Sequence, residues 1–323
     1  MRYMENRIPH KRLSRLGMGT ARFGTLVDER RSCALLDRFF DGGGTLLDTA
    51  RNYYEWVENG RGKSEACLGK WMESRGNRAE IVLSTKGGVR NEGHTWFYDL
   101  SYPALSQEIM ESMEALRTDY LDIYLLHRDE PARPVEEIVE TMQKVKEIGR
   151  VSVIGVANWR EDRIKAANRY ANEHGMEPFR FIQTWWSLAE YTDAMWNDAT
   201  TTHMTEALYA YMRDNDFVGM AYTSQCKGYF QQAARLGVDG VPEAIRARIE
   251  TKANRAKAQY IQRFSERAGI SPTAFVTGYI TNNPLPGIAL FSTMNMAHLE
   301  EILACSDYVL DKEEIATIDR CEG

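Results

Sequence analysis

The chain has 323 residues, 43% of them hydrophobic and 27% charged. That balance supplies apolar side chains for a large core and excludes intrinsic disorder and collagen-like repeats. Forty Lys plus Arg against 46 Asp plus Glu leave a net charge of −6, which excludes the basic footprint of a nucleic-acid or membrane-surface binder.

The amino terminus, MRYMENRIPHKRL, is polar and basic, and no segment approaches the roughly 18 apolar residues of a membrane span. The five cysteines (Cys33, Cys67, Cys226, Cys305, Cys321) are odd in number and lack any paired CxxC spacing. Reduced thiols, a cytoplasmic location and no metal site are therefore expected.

In chain order, short apolar runs alternate with helical patterns. RLGMGT, ending at Thr20, reads as the first strand. Leu35, Leu36, Phe39 and Phe40 mark a helix stopped by Gly42. TLLDT at 45–49 is followed by a helix with Leu68, Trp71 and Met72 before Gly76, and EIVLSTK at 80–86 by one presenting Ile109, Met113 and Leu116, with Met110 also read as core-facing. YLDIYLLH at 120–127 precedes the stripe Val135, Ile138, Val139, Met142 and Val145, which ends at Gly149. VSVIGVAN at 151–158, FRFIQT at 179–184, FVGMAYT at 217–223 and GIALFS at 287–292 complete eight strands. Ser271 and Pro272 open a late helix, while the charged, glycine-punctuated stretch Lys227 to Arg255 is predicted to be a mobile loop.

Eight strands, each followed by a helix, predict one α/β domain of 323 residues, a (β/α)8 TIM barrel with an N-terminal extension and C-terminal helices. An open dinucleotide-binding sheet would carry GxGxxG at its first turn, and LGMGT lacks the third glycine.

Barrel chemistry gathers at the carboxyl ends of the strands. Those ends here read Thr20, Asp48, Lys86, His127, Asn158, Gln183, Tyr222 with Thr223, and Ser292. Burying an acid, a lysine, a histidine and two amides is unfavourable unless they hydrogen-bond one another. Tyr53, in DTARNYY, lies five residues beyond Asp48. Lys86 close to its phenol would lower a pKa of about 10, Asp48 would hold the lysine, and His127 would orient a carbonyl oxygen. Each residue alone has a plainer role: Asp48 capping a turn, Tyr53 packing, Lys86 solvated, His127 satisfied in a core. Only their joint placement favours chemistry.

These motifs resemble those of the aldo-keto reductase superfamily. DTARNYY is similar to the family's DTAxxYG, STKGG to the strand ending in its lysine and LDIYLLHR to the strand ending in its histidine, over essentially the whole chain. The resemblance implies a catalytic tetrad of Asp48, Tyr53, Lys86 and His127, a bound nicotinamide dinucleotide and a small carbonyl or alcohol substrate. IGVANW resembles IGVSNF, which places Asn158 on the nicotinamide carboxamide, although Ala157 stands where serine is usual. Gln183 is implied as the second carboxamide partner, and AYTSQCKG resembles AYSPLGxG, placing Tyr222 against the nicotinamide ring, with Ser224 replacing a proline. Gly19, Thr20, Asp48, Thr223, Gln225, Gly228, Ser292 and Thr293 complete the implied cofactor positions. In ALFSTMNMAHLEE no Lys or Arg stands ready for a 2′-phosphate, and His298 falls near the usual arginine position. Family habit favours NADP(H), with NAD(H) the alternative.

Other features compete less well. HRD at 127–129 mimics a kinase loop without its companions. Trp96, Phe97, Trp159, Trp185 and Trp186 either line an apolar pocket or pack under loops. Arg128, next to His127, is a candidate contact for a substrate carboxylate or hydroxyl, but the expected role is a surface ion pair with Asp129 or Glu130. Gly87 to Tyr102 and the stretch after Tyr222 are expected to set specificity. The predicted activity is reversible reduction of an aldehyde or ketone; a cofactor-holding sensor with little turnover and a dehydratase or epimerase are the rival readings.

Overall fold

The computed structural model describes residues 1–92, 95–195 and 198–321. In chain order its elements are β1 (Tyr3–Ile8), β2 (Lys11–Ser14), β3 (Leu16–Gly19), α1 (Glu29–Asp41), β4 (Leu46–Asp48), α2 (Lys63–Arg75), β5 (Val82–Gly87), β6 (Val89–Glu92), β7 (Thr95–Tyr98), α3 (Tyr102–Leu116), β8 (Ile123–Leu126) and α4 (Val135–Ile148). There follow β9 (Val153–Ala157), α5 (Glu161–Glu173), β10 (Phe181–Trp185), α6 (Glu206–Asp214), β11 (Val218–Tyr222), α7 (Tyr229–Leu236), α8 (Glu243–Ile249), α9 (Lys252–Ala268), α10 (Pro272–Thr281), β12 (Gly287–Phe291), α11 (Met296–Ala304) and α12 (Lys312–Asp319). Strands β3, β4, β5, β8, β9, β10, β11 and β12 close in that order into a parallel barrel, β12 pairing back onto β3. All eight sequence-predicted strands are in it.

Two apolar layers make the wall. Side chains of alternate parity along each strand separate into a cluster inside the barrel, including Leu46, Val82, Ile123, Phe181 and Ile288, and a larger one between strands and helices, including Leu47, Leu83, Tyr124 and Ile182. The helices end as their sequences direct: Gly76 is left-handed at the end of α2, and Ser271 accepts from the Thr273 N–H at the start of α10.

Four details depart from expectation. β1 and β2 form an antiparallel hairpin whose Met4, Ile8 and Leu13 join the interior cluster. β6 and β7 form a second hairpin directly after β5; within the segment expected to set specificity, residues 93 and 94 lie outside the described residues. The stretch Lys227 to Arg255 is mostly helical: α7 buries Tyr229, Phe230 and Ala233, and α9 begins at Lys252. Met110 is 54% exposed, because Leu105, Ile109 and Leu116 define the buried face of α3. All five cysteines are free. Among the described residues, no helix is long and apolar enough to cross a membrane.

Candidate active site

The strand period places the polar residues. Leu46, Val82, Leu125, Phe181, Met220 and Leu290 point into the barrel. Two residues further on, the same parity aims Asp48, Ser84, His127, Gln183, Tyr222 and Ser292 at its carboxyl end, and Lys86 follows Ser84 by one more repeat. The apolar floor thus gives way, strand by strand, to a ring of hydrogen-bonding groups.

Lys86 is fully buried, and its ammonium donates to Asp48 Oδ2 at 2.8 Å, the Thr49 carbonyl at 2.7 Å and Tyr53 OH at 2.9 Å. The Tyr53 hydroxyl lies 3.5 Å from Asp48 Oδ2. Ser84 Oγ and Gln183 Nε2 donate to the other carboxylate oxygen, each at 3.0 Å. His127 meets the Tyr53 ring edge-on, centroids 5.7 Å apart, and its Nδ1 lies 2.8 Å from Asn52 Oδ1. The four sequence-predicted catalytic residues are therefore in one place, three of them in direct contact.

The electrostatics correct one expectation. Burial raises the Tyr53 pKa above its ordinary 10; Lys86 pulls the other way, and the net direction is up. Burial alone would push Lys86 down, but Asp48 and then Tyr53 hold its charge and the net is upward. His127 is pushed well below 6.5 by burial and by the cations of Arg128 and Lys86. At neutral pH the site is thus a neutral phenol, an ammonium and a neutral imidazole. The expected lowering of Tyr53 does not occur because removal from water outweighs one neighbouring charge that Asp48 already neutralises.

A supporting layer went unseen in the sequence. Glu65 is fully buried, accepting from Thr85 Oγ1 at 2.7 Å and Arg51 at 3.0 Å, while Glu108 accepts from the Gly88 N–H at 2.6 Å. These carboxylates tie α2 and α3 to β5 on either side of Lys86. Asn52 was missed as well. A signal existed, since it immediately precedes Tyr53, but its partner is 75 positions away. Arg128 pairs with Asp198 at 3.4 Å and donates to Thr200 Oγ1 at 3.0 Å. The expected partners are taken: Asp129 by Arg163 and Glu130 by Arg133.

The residues proposed for a cofactor occupy the adjoining sector of the mouth, at the ends of β9 to β12 and β3. Asn158 Oδ1 accepts from Tyr222 OH at 2.7 Å and the Thr202 N–H at 3.3 Å, and its Nδ2 lies 3.4 Å from the His127 carbonyl. Ser224 donates to the Leu290 carbonyl at 2.7 Å, and Gln225 reaches Ser224 and Thr277. Thr20 is bound to the Asp48 carbonyl and Ser64, and a Cβ on Gly19 would sit 3.9 Å from Ser292. The backbone after β11 is strained, with positive φ at Thr223, Cys226, Lys227 and Gly228, which turns the chain sharply into the amino end of α7. Thr293 caps its own loop through Asn295. His298 stands apart, exposed on the first turn of α11.

Amides at Asn158 and Gln183 suit a carboxamide, and backbone N–H groups at a helix start suit a pyrophosphate. The donor set therefore fits a nicotinamide dinucleotide. Near α11, Arg38 and Arg235 are paired with Glu300 and Glu301, so the cation missing from the sequence motif is not supplied by either. Of the tryptophans, Trp159, Trp185 and Trp186 are core residues, at most 4% exposed, whereas Trp96 and Phe97 are 41% and 48% exposed on the β6–β7 hairpin.

A closed eight-stranded barrel with a lysine, an acid, a tyrosine and a histidine at its carboxyl end defines a class of barrel oxidoreductases. The chain matches the Aldo/keto reductase family over residues 15–322, and it belongs to that family. It is similar to the aldo-keto reductase YhdN of Bacillus subtilis, 26% identical over 93% of this chain and 87% of the relative. It is also similar to a norsolorinic acid reductase of Aspergillus flavus, 26% identical over 96% and 78% of the two chains. An aryl-alcohol dehydrogenase [NADP(+)] of Phanerodontia chrysosporium is 29% identical over 53% of this chain and 44% of its own.

Proposed function

We propose that this protein reduces an aldehyde or ketone to the alcohol, reversibly, with Tyr53 as the proton donor. The observation that carries this reading is Lys86 bridging Asp48 and the Tyr53 hydroxyl at 2.8 and 2.9 Å. A bound reduced nicotinamide dinucleotide supplies the hydride, with Asn158, Gln183, Tyr222 and the Thr223 to Gly228 turn holding it. Tyr53, kept neutral, gives its proton to the carbonyl oxygen as negative charge grows there. Lys86 stabilises the phenolate left behind. Asp48 keeps Lys86 in place, and His127 beside the phenol orients the same oxygen. In the reverse direction the phenolate takes the alcohol proton.

The mouth suits an apolar carbonyl compound. Tyr54 packs on Trp56 at 4.9 Å and Trp56 on Trp96 at 5.9 Å, the latter two 45% and 41% exposed. The aryl-alcohol name of one relative supports an aromatic substrate, and its NADP(+) supports NADP(H) as the cofactor. A fluorescence titration with NADPH and NADH decides that preference; tighter NADH reverses it. Tyr53→Phe should cut benzaldehyde reduction by about 10²- to 10⁴-fold and leave NADPH affinity within about twofold, a factor worth only about 0.4 kcal/mol. Retention of most of the rate sinks the assignment, and cofactor turnover absent in the wild-type chain would favour the sensor reading.

A further inference from the structure

The His127 ring has one side-chain hydrogen bond, from Nδ1 to the amide of Asn52, and its Nε2 has no hydrogen-bond partner among the described residues. The backbone on both sides is fixed: His127 N–H donates to the Gly87 carbonyl at 2.9 Å, and its carbonyl accepts from Arg128 at 2.9 Å. Asn52 is buried, 6% exposed, and is the residue immediately before Tyr53, whose ring the imidazole touches.

A neutral imidazole carries one proton, and the partner of one nitrogen decides which nitrogen holds it. With the amide oxygen 2.8 Å from Nδ1, the proton sits on Nδ1 and Nε2 accepts. A substrate oxygen gaining negative charge needs the opposite, a donor at Nε2. An amide provides both states, because a half-turn about Cβ–Cγ brings its NH2 group to Nδ1.

We propose that Asn52 is a positioning residue that selects the protonated nitrogen of His127, its half-turn converting the ring from an acceptor to a donor toward substrate oxygen. The ring gives its Nδ1 proton to water and takes one at Nε2 from water, so its charge is unchanged. The identity of that oxygen rests on the carbonyl-reduction reading; the choice of nitrogen does not. The charged and titratable groups around the ring are Lys86 with its partner Asp48, Tyr53, and Arg128 with its partner Asp198.

Two variants of the full-length protein test this. Asn52→Asp accepts only, so it holds the proton on Nδ1 and favours the imidazolium. Asn52→Leu offers nothing to Nδ1. In ¹⁵N-histidine spectra at pH 7, wild type should show a single Nδ1–H form for His127, Asn52→Leu both forms, and Asn52→Asp an Nδ1–H form that becomes imidazolium at higher pH than wild type. Benzaldehyde reduction by Asn52→Asp should fall about 10²-fold at neutral pH and recover on acidification, as the imidazolium donates from Nε2; Asn52→Leu should not recover. Identical His127 spectra and titrations in all three proteins, or equal losses with parallel pH profiles in the two variants, would overturn the proposal. The spectra are read without turnover, so failure to reduce benzaldehyde counts against the functional reading alone.

Discussion

Lys86 is a buried charge whose three protons all have acceptors, and that fixes what its neighbours can be. Satisfied by Asp48 and the Thr49 carbonyl, it stays an ammonium, and the phenol it touches stays protonated until the substrate oxygen demands the proton. His127 is the complementary case. Its folded-state pKa is depressed below 6.5 by burial, Arg128 and Lys86, so below pH 6.5 the unfolded chain takes up a proton that the folded chain refuses. Its contribution to stability is present above pH 6.5 and is lost as pH falls from there toward the folded value. The slope is at most about 1.4 kcal/mol per pH unit, lessened by the partial exposure of the ring at the mouth. Urea midpoints at pH 7.5 and 5.5 should therefore drop less for His127→Gln than for wild type. Equal drops would mean the ring is not held neutral by its surroundings.

At the scale of elements, the loop leaving β4 carries Tyr53, Tyr54 and Trp56, the hairpin leaving β5 carries Trp96, and Glu55 joins the two. Its carboxylate accepts from the Asn91 N–H at 2.7 Å and pairs with Arg61, so the β6–β7 hairpin is tethered to the loop bearing Tyr53. Glu55→Ala should release the hairpin and raise KM for an aromatic carbonyl by about tenfold or more, the worth of one charged hydrogen bond, with kcat nearly unchanged and faster amide exchange across residues 95–98. A KM rise of the same size for a short aliphatic aldehyde would remove Trp56 and Trp96 from substrate binding. The hairpin also marks a limit of legibility. The barrel strands were readable because each is a continuous apolar run closed by one polar residue. Val89 to Tyr98 lacks a continuous apolar run, its aromatics Trp96 and Phe97 are exposed, and its hydrogen bond to Glu55 joins segments 36 positions apart. α7 and α8 were hidden similarly, being eight and seven residues long and separated by Gly237 and Pro242. The positions of the tetrad were legible because each member closes or follows a strand. The pKa direction of Tyr53 and the roles of Asn52, Glu65 and Arg128 were not, because they depend on contacts between distant segments.

For the whole molecule, the barrel divides its labour between its ends. The carboxyl end holds every residue of the candidate site. The amino end is closed by the β1–β2 hairpin, whose Leu13 is fully buried beside Met4 and Ile8 in the interior cluster. Nothing in a polar, basic amino terminus announced this plug, since only three of its side chains face inward. Their burial beneath the apolar floor of the barrel makes the plug a stability element with no hydrogen bond to the reacting groups. Leu13→Ala leaves a cavity in a fully packed interior and should cost about 2–5 kcal/mol in urea unfolding. Because the tetrad is fixed by its own hydrogen bonds and by Glu65 and Glu108, kcat/KM at 25 °C should change less than twofold, a difference of about 0.4 kcal/mol. A large loss of kcat/KM in the fully folded variant would show that the floor of the barrel positions Lys86, and the two ends would then have to be treated as one site.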